Sequence, residues 1–249
     1  MQQFFGTILG IFSNGFLHTF TYVFAIATQV VGWALLLLEI SGRTISGGKI
    51  VKNGVKWNSQ SLATVAITGA LYTAVKYLHL PQLIPGFGGL TFTHVFAPIF
   101  AMVFGVPGAI GCALSTPVSD ALQGWLGVGS LAGTMGHWLF LCWLPMKMVK
   151  DPSFQNKKSI VSVYLWAVLI GGALHILQLY GFLDLIKAMD PVTAWTVGAP
   201  GSVPAHIIIP AILMPITLPF IYNTVKKRGL YWRDVVGETE EGNVDEEIK

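Results

Sequence analysis

Six histidines, His18, His79, His94, His137, His175 and His206, and one aspartate, Asp120, lie inside or beside long apolar runs. An imidazole can orient a ligand by hydrogen bonding, carry a proton or bind a transition metal. A carboxylate can orient a polar ligand. At ~1.5 Å of rise per helical residue, His137 falls about 9 Å and His175 about 12 Å below the nearer end of their runs. Ionisable groups at membrane depth are costly, so each is by default a functional hypothesis. His18 and His79 stand at run ends, where an imidazole is cheap, and are expected to be structural. Asp120, His94, His137, His175 and His206 remain as candidates to line one outward-facing cavity. No two histidines stand at i, i+4 on one helix, so the spacing gives no metal site and no resident cofactor is expected. Trp125, Trp138, Trp195 and Tyr180 lie toward the same side. Such rings serve either as an interfacial belt or as platforms stacking on a flat substrate, with Trp138 and Trp195 the candidates for the second role. The segment 184–202, with Pro191, Gly198, Pro200 and Gly201, is expected to be a long external loop that closes as a lid.

The elements that must position these groups are set by composition. Of 249 residues, 53% are hydrophobic and 11% charged, with a mean hydropathy of +0.63. Too little polar surface exists to cover a soluble globule, and disorder would leave that apolar surface wet. An all-α integral membrane protein is therefore expected. Runs long enough to cross ~30 Å of hydrocarbon occur at about 16–39, 60–79, 108–124, 131–149, 159–183 and 203–225. A shorter seventh, about 92–104, is bounded by Gly86-Phe87-Gly88-Gly89 and Gly105-Val106-Pro107-Gly108, and is either a brief span or a broken one buried among its neighbours.

Charge placement fixes the expected topology. Only Lys76 and Lys187 lie outside three basic clusters and the tail; the clusters are Arg43, Lys49, Lys52 and Lys56, then Lys147, Lys150, Lys157 and Lys158, then Lys226, Lys227, Arg228 and Arg233. Seven crossings put all three on one side, expected to be cytoplasmic by the positive-inside rule, with the N-terminus outside and the C-terminus inside. The run 16–39 has no basic region before it and no small-residue cleavage pattern after it, and is expected to remain as a span. Residues 229–249 read as an acidic, solvated cytoplasmic tail. Cys112 and Cys142 lie in apolar runs and are expected to be packing residues.

Covalent chemistry finds little support. Gly127-Val128-Gly129-Ser130 with His206 lacks the Gly-x-Ser-Gly context of an intramembrane serine protease. There is no His-Glu-x-x-His motif and no phosphate-cradling Gly-x-x-x-x-Gly-Lys-Ser/Thr loop. The chain is not expected to be an enzyme or to bind ATP itself. Ala66, Ala70 and Ala74, at four-residue spacing, make one helical face nearly free of side chains, suited either to packing within the chain or to docking a second membrane subunit.

The stretch from Trp57-Asn58-Ser59-Gln60-Ser61-Leu62-Ala63 through Ala66-Ile67-Thr68-Gly69-Ala70-Leu71-Tyr72 resembles the opening of the substrate-binding (S) components of energy-coupling factor transporters. Residues 96–111, with Phe104-Gly105-Val106-Pro107-Gly108, are similar to their short second helix and following turn, closest to the queuosine-precursor transporter branch. Ser119-Asp120 and the stretch from Gly127 to Gly136 share that likeness. The resemblance covers about residues 57–225. It implies a six-helix S-component-like bundle, here residues 57–228, preceded by an additional transmembrane helix and basic loop in residues 1–56. It further implies high-affinity capture of a small vitamin-like or nucleobase-like nutrient from outside. The Ala66, Ala70 and Ala74 face would dock a transmembrane coupling subunit whose ATPases consume ATP. Where that branch carries an Arg this chain has Thr93-His94, and where it carries an Asn this chain has His137, so the substrate need not be shared. The extra helix and acidic tail favour an alternative, a non-transporting interaction subunit of a larger membrane complex.

Overall fold

The computed structural model describes residues 15–77, 79–80, 90–124 and 126–236. Trp125, residues 86–89, the side chain of His79 and residues 237–249 lie outside the described residues; of the solvated tail expected over 229–249, Tyr231 and Trp232 instead pack against the bundle. The described residues are mostly helical, with six helices among them: α1 (Gly15–Ile40), α2 (Ser59–Tyr77), α3 (Thr93–Leu122), α4 (128–148), α5 (Lys157–Leu185) and α6 (191–227). Four helical stretches, His18–Ile40, Thr93–Leu122, Lys157–Leu185 and Pro191–Val236, are long and apolar enough to cross a membrane. Two small antiparallel hairpins join helices. β1 (Arg43–Ser46) pairs with β2 (Lys49–Lys52) across Gly47 and Gly48, both at positive φ as a tight two-residue turn requires, and β3 (His79–Leu80) pairs with β4 (Leu90–Thr91).

Six helices stand where seven runs are legible because residues 93–122 form one helix broken at Gly105 (φ 66°, ψ −147°). A β-carbon on Gly108 would lie 2.5 Å from the Phe100 carbonyl oxygen, although eight residues of straight helix span ~12 Å. The chain therefore folds back, giving arms 93–104 and 106–122. Only glycine suits the break, since the backbone is left-handed there and a β-carbon would meet Trp232 Cγ at 2.7 Å. Trp232 closes the turn by donating its indole N–H to the Met102 carbonyl (2.9 Å).

The second arm of α3 runs beside α2 in the same direction. Gly111 and Ser115 lie against Thr68 and Gly69, and Lys76 forms an ion pair with Asp120 at the far end. Thr68, Gly69 and Tyr72 are the buried face of α2, whereas Ala66, Ala70 and Ala74 are exposed. Those three alanines line a shallow groove with Leu114 and Val118, so within-chain packing does not explain their spacing.

Buried polar clusters tie each end of the bundle. At one end Glu39, fully buried, accepts hydrogen bonds from Thr44 (2.5 Å), Asn53 (3.0 Å) and Trp143 (2.9 Å) and pairs with Lys147 (2.9 Å). Arg233 donates there to the carbonyls of Met146 and Val149. These contacts gather the three basic clusters at one end. At the other end the fully buried Asp184 accepts from His18 (2.7 Å), Tyr22 (2.9 Å) and Trp195 (3.2 Å), joining α1, α5 and α6. Cys112 and Cys142 are free and buried, as packing residues would be.

The expected lid over 184–202 is absent: α6 begins at Pro191, with Asp190 accepting from the Thr193 amide (3.0 Å) as its N-cap. Pro191 at the first helical position needs no amide partner. The later prolines Pro200 and Pro204 are absorbed in a helix containing π-turns at Ala194–Gly198 and Pro204–Ile208. This segment is a packed wall, because Trp195 is buried and a β-carbon on Gly198 would lie 2.3 Å from Tyr180 Cε1.

Candidate functional site

His94 opens the first arm of α3, His137 lies within α4, His175 within α5 and His206 within α6. All four are buried, none more than 8% exposed. Their rings meet in the bundle: His94 lies 3.7 Å from His206, 5.3 Å from His137 and 5.6 Å from His175 between ring centroids, and His175 lies 4.5 Å from His137 and 4.9 Å from His206. Tyr72 presents its ring edge-on to His137 at 5.8 Å.

Glycines permit this approach. A β-carbon on Gly136 would fall 2.6 Å from His175 Cδ2 and 2.2 Å from Gln178 Oε1. One on Gly172 would meet the His206 carbonyl oxygen at 2.6 Å, and one on Gly171 the Phe140 carbonyl oxygen at 2.7 Å. Small residues let α4, α5 and α6 close around the imidazoles as they do wherever membrane helices pack tightly. His137 begins a π-helical stretch, His137–Trp143, and His206 lies in another, Pro204–Ile208. Such widened turns recur at functional sites because they re-aim side chains within a helix.

Two of the rings are held in a defined tautomer. His137 Nδ1 lies 3.1 Å from the Gly133 carbonyl and His206 Nδ1 lies 2.8 Å from the Ser202 carbonyl, each one helical turn back. A carbonyl only accepts, so each Nδ1 carries the hydrogen and each Nε2 keeps a lone pair. Among the described residues neither Nε2 has a protein partner, nor does either ring nitrogen of His94 and His175. A buried polar atom left unpaired costs ~1–3 kcal/mol. The contrast with the Glu39 and Asp184 clusters is sharp, since those carboxylates are surrounded by donors while the imidazole nitrogens face one another.

The remaining sequence-derived candidates lie apart from these nitrogens. Asp120 is engaged by Lys76. Trp195 donates to Asp184 and packs with Ile176 and Tyr180, outside the main core. Trp138, next to His137 in the chain, is fully buried with its indole N–H unpartnered. His18 pairs with Asp184 near one end of the bundle. His206 stands fifteen residues into α6 because that helix starts at 191, so it is deep in the bundle rather than at the end of its span. No protein family, curated protein or solved structure matches this chain. The geometry of the site therefore carries its interpretation.

The sequence reading missed Tyr72, Gly136 and Gln178. Gln178 is fully buried and donates to the Ala132 carbonyl (3.2 Å). An uncharged amide three residues after His175 within an apolar run was the available signal. Spacing along one helix also could not reveal the cluster, because α3, α4, α5 and α6 contribute one imidazole each.

Proposed function

We propose that this chain is a multi-pass membrane protein that captures a small solute from the side opposite the basic clusters and holds it at His94, His137, His175 and His206. One observation carries the reading: four imidazoles from four helices converge inside the bundle with nitrogens that no group among the described residues satisfies. Stability alone gives no reason to bury such groups unpaired. Placement of the basic clusters at one end supports that end as cytoplasmic. The solute would then enter from outside.

No phosphate-cradling motif stands in the sequence, so the energy for uptake would come from a separate ATPase module through a coupling subunit. The exposed Ala66, Ala70 and Ala74 groove on α2 is the face that suits such a docking helix. The rival role, a non-transporting subunit of a larger complex, draws on α1, which is tied to the bundle by His18 and Tyr22. Purification of the intact chain from its membrane, followed by mass spectrometry of bound small species and of protein partners, separates the two. A retained small species supports capture. Stoichiometric partners lacking an ATPase, with no bound solute, refute it.

A further inference from the structure

We infer that the solute held by the four histidines is a late first-row divalent transition-metal ion. The inference rests on the capture reading and replaces its ring-shaped nutrient with an ion. Ring centroids only 3.7 to 5.6 Å from His94 put the imidazoles in mutual contact, which leaves no place between them for a flat organic molecule, and His94 and His206 would have to part slightly to share an ion.

The ligand geometry is nearly assembled. One nitrogen from each of His94, His175 and His206 can be chosen so that all three lie within 4.8 Å of one another. A tetrahedral ion at ~2.0–2.1 Å from each nitrogen requires nitrogens about 3.3 Å apart, so they need close by about 1.5 Å at most. His137 stands outside that group of three, with its ring 4.5 Å from that of His175, and would have to move closer for its Nε2 to take the fourth position. The carbonyls of Gly133 and Ser202 fix the Nδ1 hydrogens of His137 and His206, which is the outer-shell arrangement that orients imidazole ligands.

Donor type selects the class of ion. Imidazole suits zinc, nickel, cobalt and copper, whereas calcium and magnesium demand oxygen ligands. None of the four donors is anionic, and the carboxylate of Asp120 is engaged by Lys76. The ion keeps its charge in a medium of low dielectric, which weakens retention relative to a thiolate site. Such a site suits cargo that must later be released, rather than a permanent structural ion.

The test uses the full chain in lipid nanodiscs, stripped with chelator and titrated with Co2+, whose visible absorption reports tetrahedral binding. One equivalent per chain is expected, displaced by Zn2+. His94→Ala should weaken binding by more than the roughly 10–100-fold that loss of an outer-shell partner costs. Because an alanine variant can fail through misfolding, His175→Cys provides a second readout. It should still bind Co2+ and add a thiolate-to-metal charge-transfer band in the near ultraviolet. No saturable binding by the unaltered chain, or binding by His175→Cys without that band, overturns the assignment. If mass spectrometry of the untreated chain finds an organic molecule and no metal, the ion is overturned while capture stands. If it finds neither, and Co2+ does not bind, both fall.

Discussion

The close approach of α4 to α5 makes Gly136→Ala a decisive perturbation, with Gly133→Ala as its internal control. The new methyl carbon at 136 would lie 2.6 Å from His175 Cδ2 and 2.2 Å from Gln178 Oε1. Ordinary contact begins near ~3.4 Å, so the ring must retreat by about 0.8 Å and the amide oxygen by about 1.2 Å. The amide can swing away at the cost of its bond to the Ala132 carbonyl (3.2 Å). The imidazole has less freedom, being fully buried among three other histidines. Overpacking of this kind costs about 1–3 kcal/mol. A ligand displaced by about 0.8 Å also exceeds the ±0.2 Å tolerance of a metal bond. At Gly133 a methyl would find only Thr116 Cγ2 at 3.9 Å, and the reduced freedom of the unfolded chain should stabilise by ~0.4–1 kcal/mol. Thermal loss of helicity and Co2+ titration, run on both variants in the same nanodiscs, give the comparison. Gly136→Ala should melt earlier and bind at least about tenfold more weakly, while Gly133→Ala should match or exceed the parent in both. Equal behaviour of the two variants would refute the packing logic on which the site is built.

Asp184→Ala removes the acceptor shared by His18, Tyr22 and Trp195. Loss of a buried charged partner should destabilise the chain by about 3–5 kcal/mol, and hydrogen exchange should show α1 loosening first. Partial burial pushes the Asp151 carboxyl up, but hydrogen bonds from Ser153 and Asn156 outweigh it and hold its pKa below the ordinary value. The stability it adds is complete above about pH 4 and is lost as pH falls through that lowered value. The difference in melting temperature between parent and Asp151→Asn should therefore be flat from pH 7 to about pH 4 and shrink below it. Ala70→Trp fills the exposed groove between α2 and the second arm of α3. Co-purification of a coupling subunit should fail while Co2+ binding persists; loss of both would count against a separate docking face.

The helical architecture, with helices long and apolar enough to cross a membrane, was legible because apolar run length is a property of local sequence. The convergence of His94, His137, His175 and His206 was legible only as a shared depth. Depth follows from rise per residue, but the facing of four helices depends on where Gly136, Gly171 and Gly172 let them touch, and no single-helix pattern contains that. The lid expectation failed for a related reason. Proline and glycine in 191–204 look like loop punctuation, yet Asp190 caps a helix there and the π-turns accommodate the missing amide hydrogens. Asp120 was grouped with the histidines on depth alone, and the parallel course of α2 gives it Lys76 instead. His18 illustrates the limit of judging one residue by its depth, since its partner Asp184 lies 166 residues away.

The reversal at Gly105 sets the level of the histidine quartet. Twelve residues, 93–104, rise only ~18 Å from the basic end, and hydrocarbon is ~30 Å thick, so His94 stops about 12 Å short of the opposite boundary. His137, nine residues from the start of α4, and His175, ten from the end of α5, come out ~14–15 Å below that boundary by the same rise. Three helices thus agree on one height close to the bilayer midplane. The short arm acts as a pedestal under the rings, and Trp232 pins its foot. Under the proposed capture role, an ion held there could not descend unless the pedestal itself shifted, which would make the Trp232 anchor the bolt on the inward door.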